Sequence, residues 1–181
     1  MFKEPLNRAL TLFRHLLSIL LLPFFVVVII PDWLSNAFVH SDTHWSAGLL
    51  PKMLGIIFIL PGFILFLWCV VLFARIGRGT LAPWDPTQKL VAVGPYRHVR
   101  NPMISGVALM LIGQAFFRSS WVLGVWSCIF ILINHVYFLG SEEPGLERRF
   151  GEQYRLYKQN VPRWIPLIKP WRGSYIGESE R

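Results

Sequence analysis

The chain has 181 residues, a length suited to one domain, with 54% hydrophobic and only 15% charged residues, a mean hydropathy of +0.46 and a formal net charge of +8. This composition lies outside the range of soluble domains and indicates an integral membrane protein. The positive charge does not indicate nucleic acid as a partner, because Lys and Arg cluster beside apolar segments, as in cytoplasmic loops.

The first apolar run extends from about Leu10 to Ile30 and the second from about Leu49 to Ala74. At ~1.5 Å per residue each can span ~30 Å of hydrocarbon. No small-residue cleavage pattern follows the first, so it reads as a span and not a leader. Pro23 and Pro61 predict kinks in these two helices. The third and fourth runs, Met103–Phe117 and Trp121–Gly140, are separated only by Arg118-Ser119-Ser120 and predict a tight helical hairpin. Beyond Glu143, Leu146, Phe150, Tyr154, Tyr157 and Val161 recur at three- and four-residue steps, the pattern of an amphipathic helix lying in the membrane interface. Pro162 would end it, with Trp164 and Trp171 as interfacial anchors. The expected fold is all-α integral membrane: four transmembrane helices, the last two a tight hairpin, plus a C-terminal interfacial amphipathic helix. It forms a single membrane domain over 1–181, with two N-terminal spans in 10–74 and a functional core in 75–170. Cys69 and Cys128, both inside apolar runs, read as buried small hydrophobes, and no residues have metal-ligand spacing.

Lys3, Arg8 and Arg14 precede the first run, Asp32–Gly48 has no Lys or Arg, and both the loop after the second run and the C-terminal tail are basic. The positive-inside rule therefore predicts a multi-pass protein, as of a bacterial inner membrane, with both termini cytoplasmic. Two polar clusters fall on that side: Gly94-Pro95-Tyr96-Arg97-His98-Val99-Arg100-Asn101-Pro102 and Ser141-Glu142-Glu143. The loop Arg75–Pro102, which carries the first, either serves topology alone or forms a packed functional loop; Gly77, Gly79, Gly94 and Tyr96 favour the second reading. The glutamates either begin the next helix, where the dipole welcomes a carboxylate, or belong to a site. Asn134 and His135 in the last span are helix glue or functional groups. The absence of any strand pattern or Gly-x-Gly-x-x-Gly excludes a Rossmann cofactor site.

Taken together, Gly94-Pro95-Tyr96-x-x-x-Arg100-Asn101-Pro102, Gly106, Glu142-Glu143-x-x-Leu146, Phe150-Gly151-x-x-Tyr154-x-x-Tyr157 and Val161-Pro162 resemble the isoprenylcysteine carboxyl methyltransferase and phospholipid methyltransferase superfamily. The resemblance covers about Gly77 to Pro170. It implies an integral membrane methyltransferase using S-adenosyl-L-methionine, with the cofactor arriving from the cytoplasm and a lipophilic small-molecule or lipid acceptor from the bilayer. The cofactor contacts it implies are Gln88, Leu90, Val91, Tyr96, Asn101, Pro102, Met103, Ile104 and Glu142. Arg97 or Arg100 would meet the cofactor carboxylate; Arg100 is the expected orienting residue, with His98, Glu143 or His135 as base. Two positions depart from the superfamily pattern. Asn101 stands where His is common, and Phe138 where prenylcysteine methyltransferases carry an acceptor-binding Arg. The departure at Phe138 shifts the expected acceptor towards an amine, hydroxyl or thiol. A phospholipid or amino-lipid N-methyltransferase is the nearest alternative; a membrane sterol or enone reductase-like protein and a non-catalytic scaffold are the others.

Overall fold

The structure, a computed structural model, describes residues 21–38, 48–76 and 90–173. Expectations for Leu10–Leu20, for Gln88 and for the glycines at 77 and 79 lie outside these residues. Among the described residues the elements are helical: α1 (Leu21–Ala37), α2 (Leu49–Ile76), a 3-10 turn (Gly94–Arg97), α3 (Pro102–Arg118), α4 (Trp121–Tyr137), a π turn (Phe138–Glu142) and α5 (Glu143–Asn160). Two helical stretches, Leu49–Leu72 and Trp121–Phe150, are long and apolar enough to cross a membrane; α1 and α3 are shorter apolar helices. Their outer faces are unlike those of a soluble protein. Ile64 on α2 is 62% exposed and Leu132 on α4 is 63% exposed, within continuous apolar surfaces that only hydrocarbon solvates without penalty.

The principal packing unit is the antiparallel pair α2 and α3. Gly55 and Gly62 are seven residues apart on α2, as are Gly106 and Gly113 on α3, so each pair shares one helix face. Gly62 meets Gly106 and Gly55 meets Gly113; a Cβ on Gly62 or Gly106 would lie 2.7 Å from the other's carbonyl oxygen. Close backbone approach by small residues replaces the hydrophobic drive that lipid cannot supply. The Arg118-Ser119-Ser120 hairpin forms as expected. Ser119 is left-handed (φ 50°) and closes α3 by donating to Ala115 and Phe116, while Ser120 Oγ caps α4 by accepting from Leu123 N at 3.2 Å.

Three expectations are corrected. The first helix does not end near Ile30 but continues through Pro31 to Ala37, placing Asp32 and Ser35 beside Arg118. Proline is tolerated there because a π turn, Phe25–Ile29, precedes it. Ile30 N donates to Phe25 O and Pro31 has no N–H, so Val26 and Val27 lose their usual helical donors. Gln114 Nε2 supplies Val27 O at 2.8 Å and Trp126 Nε1 supplies Val26 O at 3.4 Å, explaining a glutamine in an apolar helix. Gln114→Leu is expected to lower stability by about 1–2 kcal/mol in a detergent melt. An unchanged melting temperature would mean that the carbonyl finds another donor. At Pro61, by contrast, α2 runs on as one 28-residue helix.

The second correction is Cys128, which is exposed on α4; only Cys69 is buried. The third concerns α5. Its apolar stripe does not face lipid: Tyr154, Tyr157 and Val161 are buried with Ala92, flanked by Leu90, Leu146, Phe150 and Trp171. Gly151, at φ 52° and ψ −127°, breaks the helix with a conformation only glycine adopts readily, redirecting Tyr154 and Tyr157. Trp171 packs on Tyr157 at 5.6 Å, and Trp164 on Phe138 at 5.8 Å, so both half-exposed rings also pack on the protein.

Candidate active site

The loop from Leu90 to Asn101 runs between two apolar clusters. Val91, Tyr96 and Met103 enter the α2–α3–α4 core with Phe66, Cys69 and Phe130, and Ile104 packs against it. Leu90 packs instead on the α5 cluster, while Pro102, buried, opens α3. Asn101 sits at the α3 N-terminus, and its carbonyl accepts from Ser105 N and Ser105 Oγ. The Tyr96 hydroxyl lies against the Cys69 thiol, and Tyr157 donates to Tyr96 O at 2.7 Å, tying α5 to the turn. Burial pushes the Tyr96 phenol well above its ordinary value and Tyr154 up to about 12. Both stay protonated at neutral pH. They present O–H dipoles and do not act as bases.

The consecutive glutamates have different surroundings. Glu143 is buried, with Oε1 2.7 Å from Arg163 Nε and 2.9 Å from Arg100 Nη1, and Oε2 3.3 Å from Lys158 Nζ. The Tyr154 hydroxyl lies beside Arg100. Three cations on one carboxylate join the loop, both ends of α5 and the tail. Such a group is a tie and a poor proton acceptor. Glu142, half-buried at the end of the π turn, makes no hydrogen bond or ion pair with any described residue, yet lies within electrostatic reach of the Tyr96 and Tyr154 phenols. Of the two, Glu142 is the carboxylate free to receive a cation.

The tail contributes a wall absent from the sequence expectations. Pro162, Pro166 and Pro170 keep residues after Val161 from forming a helix. The segment crosses the loop through Arg100 N→Pro162 O, Leu167 N→His98 O and Trp171 N→Arg97 O, each 2.9 Å. His98 Nδ1 also lies 2.6 Å from Leu167 O. A carbonyl only accepts, so Nδ1 carries the proton and Nε2 is the open acceptor. Beneath this strap lies a cavity of about 740 Å³, lined by Arg97, His98 and Val99 of the loop, Leu65 and Trp68 of α2, Ser105, Ala108, Leu109 and Ile112 of α3, Ile131 of α4, and Trp164 of the tail. Of the expected catalytic residues His98 lines it, as does Arg97; Arg100, Glu143 and Leu90, Val91, Tyr96, Asn101, Pro102, Met103, Ile104 and Glu142 of the expected cofactor contacts do not. His135 Nδ1 accepts from Trp164 Nε1 at 3.0 Å, and Asn134 donates to Phe130 O within its own helix. These two polar groups therefore serve packing. Phe138, 2% exposed, fills its place against Trp164.

Residues 50–153, more than half of the chain, match the phospholipid methyltransferase family. The chain is also similar to an uncharacterized protein of Haemophilus influenzae, 33% identical over 63 residues that make up 35% of this chain and 100% of that protein. The family match takes in α2, the Gly94–Arg97 turn, the α3–α4 hairpin and both glutamates. The chain thus belongs to the phospholipid methyltransferase family, within the isoprenylcysteine carboxyl methyltransferase-like superfamily.

Proposed function

We propose that the protein is an S-adenosyl-L-methionine-dependent methyltransferase acting on a lipophilic acceptor at the cytoplasmic face of the membrane. In this reading all four apolar helices span the membrane and both termini are cytoplasmic, in keeping with the basic loop and tail. The observation that carries the reading is the division of labour between Glu142 and Glu143. One carboxylate is saturated by cations and the next is held half-buried beside aromatic groups without one. A zwitterionic sulfonium fits that environment, because its cationic end needs a carboxylate and tolerates an aromatic neighbour. When bound, the cofactor supplies a methyl group already activated by positive sulfur.

The chain's own residues then have separable roles. Glu142 receives the ammonium or sulfonium. Tyr96, with Leu90, Val91, Asn101, Pro102, Met103 and Ile104, frames the cofactor chiefly through main chain, since most of these side chains are committed to packing. Gln88 belongs to the same group. Arg100 and Glu143 act as positioning residues that fix the loop to α5 and so place Glu142. His98, with Nε2 open, is the base for a protonated amine or a hydroxyl acceptor. Proximity and exclusion of water do the remaining work. Phe138 favours these acceptors over a carboxylate bound from the π turn after α4.

Calorimetric titration of S-adenosylmethionine into detergent-purified protein tests the reading. The wild type should bind it and not NADPH, and Glu142→Gln should weaken binding at least about tenfold without changing the melting temperature. Equal affinity in wild type and variant would refute the role of Glu142; no affinity in the wild type would sink the enzyme reading. A labelled-methyl assay on lipid extract then identifies the acceptor.

A further inference from the structure

We propose that Arg97 anchors an oxyanion on the methyl acceptor, making the cavity a site for an anionic amphiphile with its head beneath the tail strap. The name "acceptor" rests on the methyltransferase reading; the binding preference does not. Arg97 lines the cavity, and its Nε is fully buried without a hydrogen-bond partner among the described residues. Among the described residues no Asp or Glu lines the cavity, so none of them gives the guanidinium a counter-charge there. A buried, unpartnered guanidinium nitrogen is costly, and a planar fork of donors suits an oxyanion.

The cavity is graded along its length. Arg97 and His98 lie at the loop end, beside Ser105 at the start of α3, whereas Leu109 and Ile112 lie further along α3. Seven residues separate Ser105 from Ile112, about 10 Å of helix. A molecule filling this space needs a charged end and an apolar body. Its anion is not met at the π turn after α4, where Phe138 is buried, and Arg100 is already paired with Glu143 at 2.9 Å. Arg97 is also held in place independently of its side chain, because Trp171 N donates to its carbonyl. Substituting the side chain should therefore spare the fold.

The same oxyanion chemistry could come from the acceptor or from the cofactor's carboxylate, and two titrations separate them. In the first, full-length protein in phosphatidylcholine nanodiscs is titrated with dodecyl phosphate and, as the neutral control, dodecanol, read by tryptophan fluorescence because Trp68 and Trp164 line the cavity. Wild type should bind the phosphate about tenfold more tightly or better, Arg97→Gln should erase the preference, and Arg97→Lys should retain part of it. Equal binding of the two probes by wild type, or a preference that survives Arg97→Gln, overturns the proposal. In the second, S-adenosylmethionine affinity should be the same in wild type and Arg97→Gln. A loss confined to that titration assigns Arg97 to the cofactor and also overturns it. Absence of S-adenosylmethionine binding altogether, with the phosphate preference intact, would count against the methyltransferase reading alone and leave the anion site supported.

Discussion

Glu143→Gln is expected to destabilise the protein by about 3–5 kcal/mol, the range for removing one partner from a buried ion pair. Its carboxylate is 5% exposed, and the Arg100 and Arg163 side chains are 10% and 15% exposed. Neutralising it would leave two largely desolvated guanidinium groups without a counter-charge. Glutamine keeps the shape and one acceptor oxygen, so packing is nearly conserved and the loss reports charge. The adjacent Glu142→Gln should leave the melting temperature unchanged, because that carboxylate stabilises no cation among the described residues. Thermal unfolding of both variants in one detergent provides the comparison. Equal stability of the two would show that the cation cluster is not a structural tie. The consequence for activity is indirect: loosening Glu143 frees Arg100 and the tail strap together, so turnover should fall even with cofactor in excess.

The second large effect is expected at the helix crossing. Gly106→Ala would put a Cβ 2.7 Å from Gly62 O and 3.1 Å from Phe66 N, both backbone atoms that cannot swing aside. Either α2 and α3 separate or the backbone bends, at about 1–3 kcal/mol for Ala and more for Val. Gly124→Ala is the control: nothing lies within 4 Å of its added Cβ, so the change should be neutral or mildly stabilising. Opposite signs in a thermal melt would support close backbone contact as the basis of the pair. A neutral Gly106→Ala would show that the helices lie further apart in the membrane. Because Ser105, Ala108 and Leu109 line the cavity beside this crossing, Gly106→Ala should also alter amphiphile binding.

Much of the architecture is legible along the chain because it depends on local chemistry. Apolar length separates α2, α3 and α4, and Arg118-Ser119-Ser120 supplies both the left-handed closure and the cap of a hairpin. The motif around Gly94–Pro102 and the glutamate pair mark the family without coordinates. Even the seven-residue glycine spacing is present in both helices, although the facing register emerges only when they are packed. Periodicity correctly marks the stripe of α5 as apolar but cannot say whether lipid or protein covers it. The turn at Gly151 and the segment around Ala92 decide that.

The roles within the polar clusters belong to tertiary structure. Glu142 and Glu143 are chemically identical neighbours, and only the convergence of Arg100, Lys158 and Arg163 from separate segments commits one of them. Arg97 and Arg100 are both candidates in the sequence, which favours Arg100 by its place in the motif, yet Arg97 lines a cavity and Arg100 closes an ion pair. Charge and hydrophobicity along the chain marked a membrane protein and its motifs marked the family, because solvent preference and turn chemistry act residue by residue. Which charged groups are free to meet a ligand was decided by folding, because a charge is used up only by partners distant in sequence.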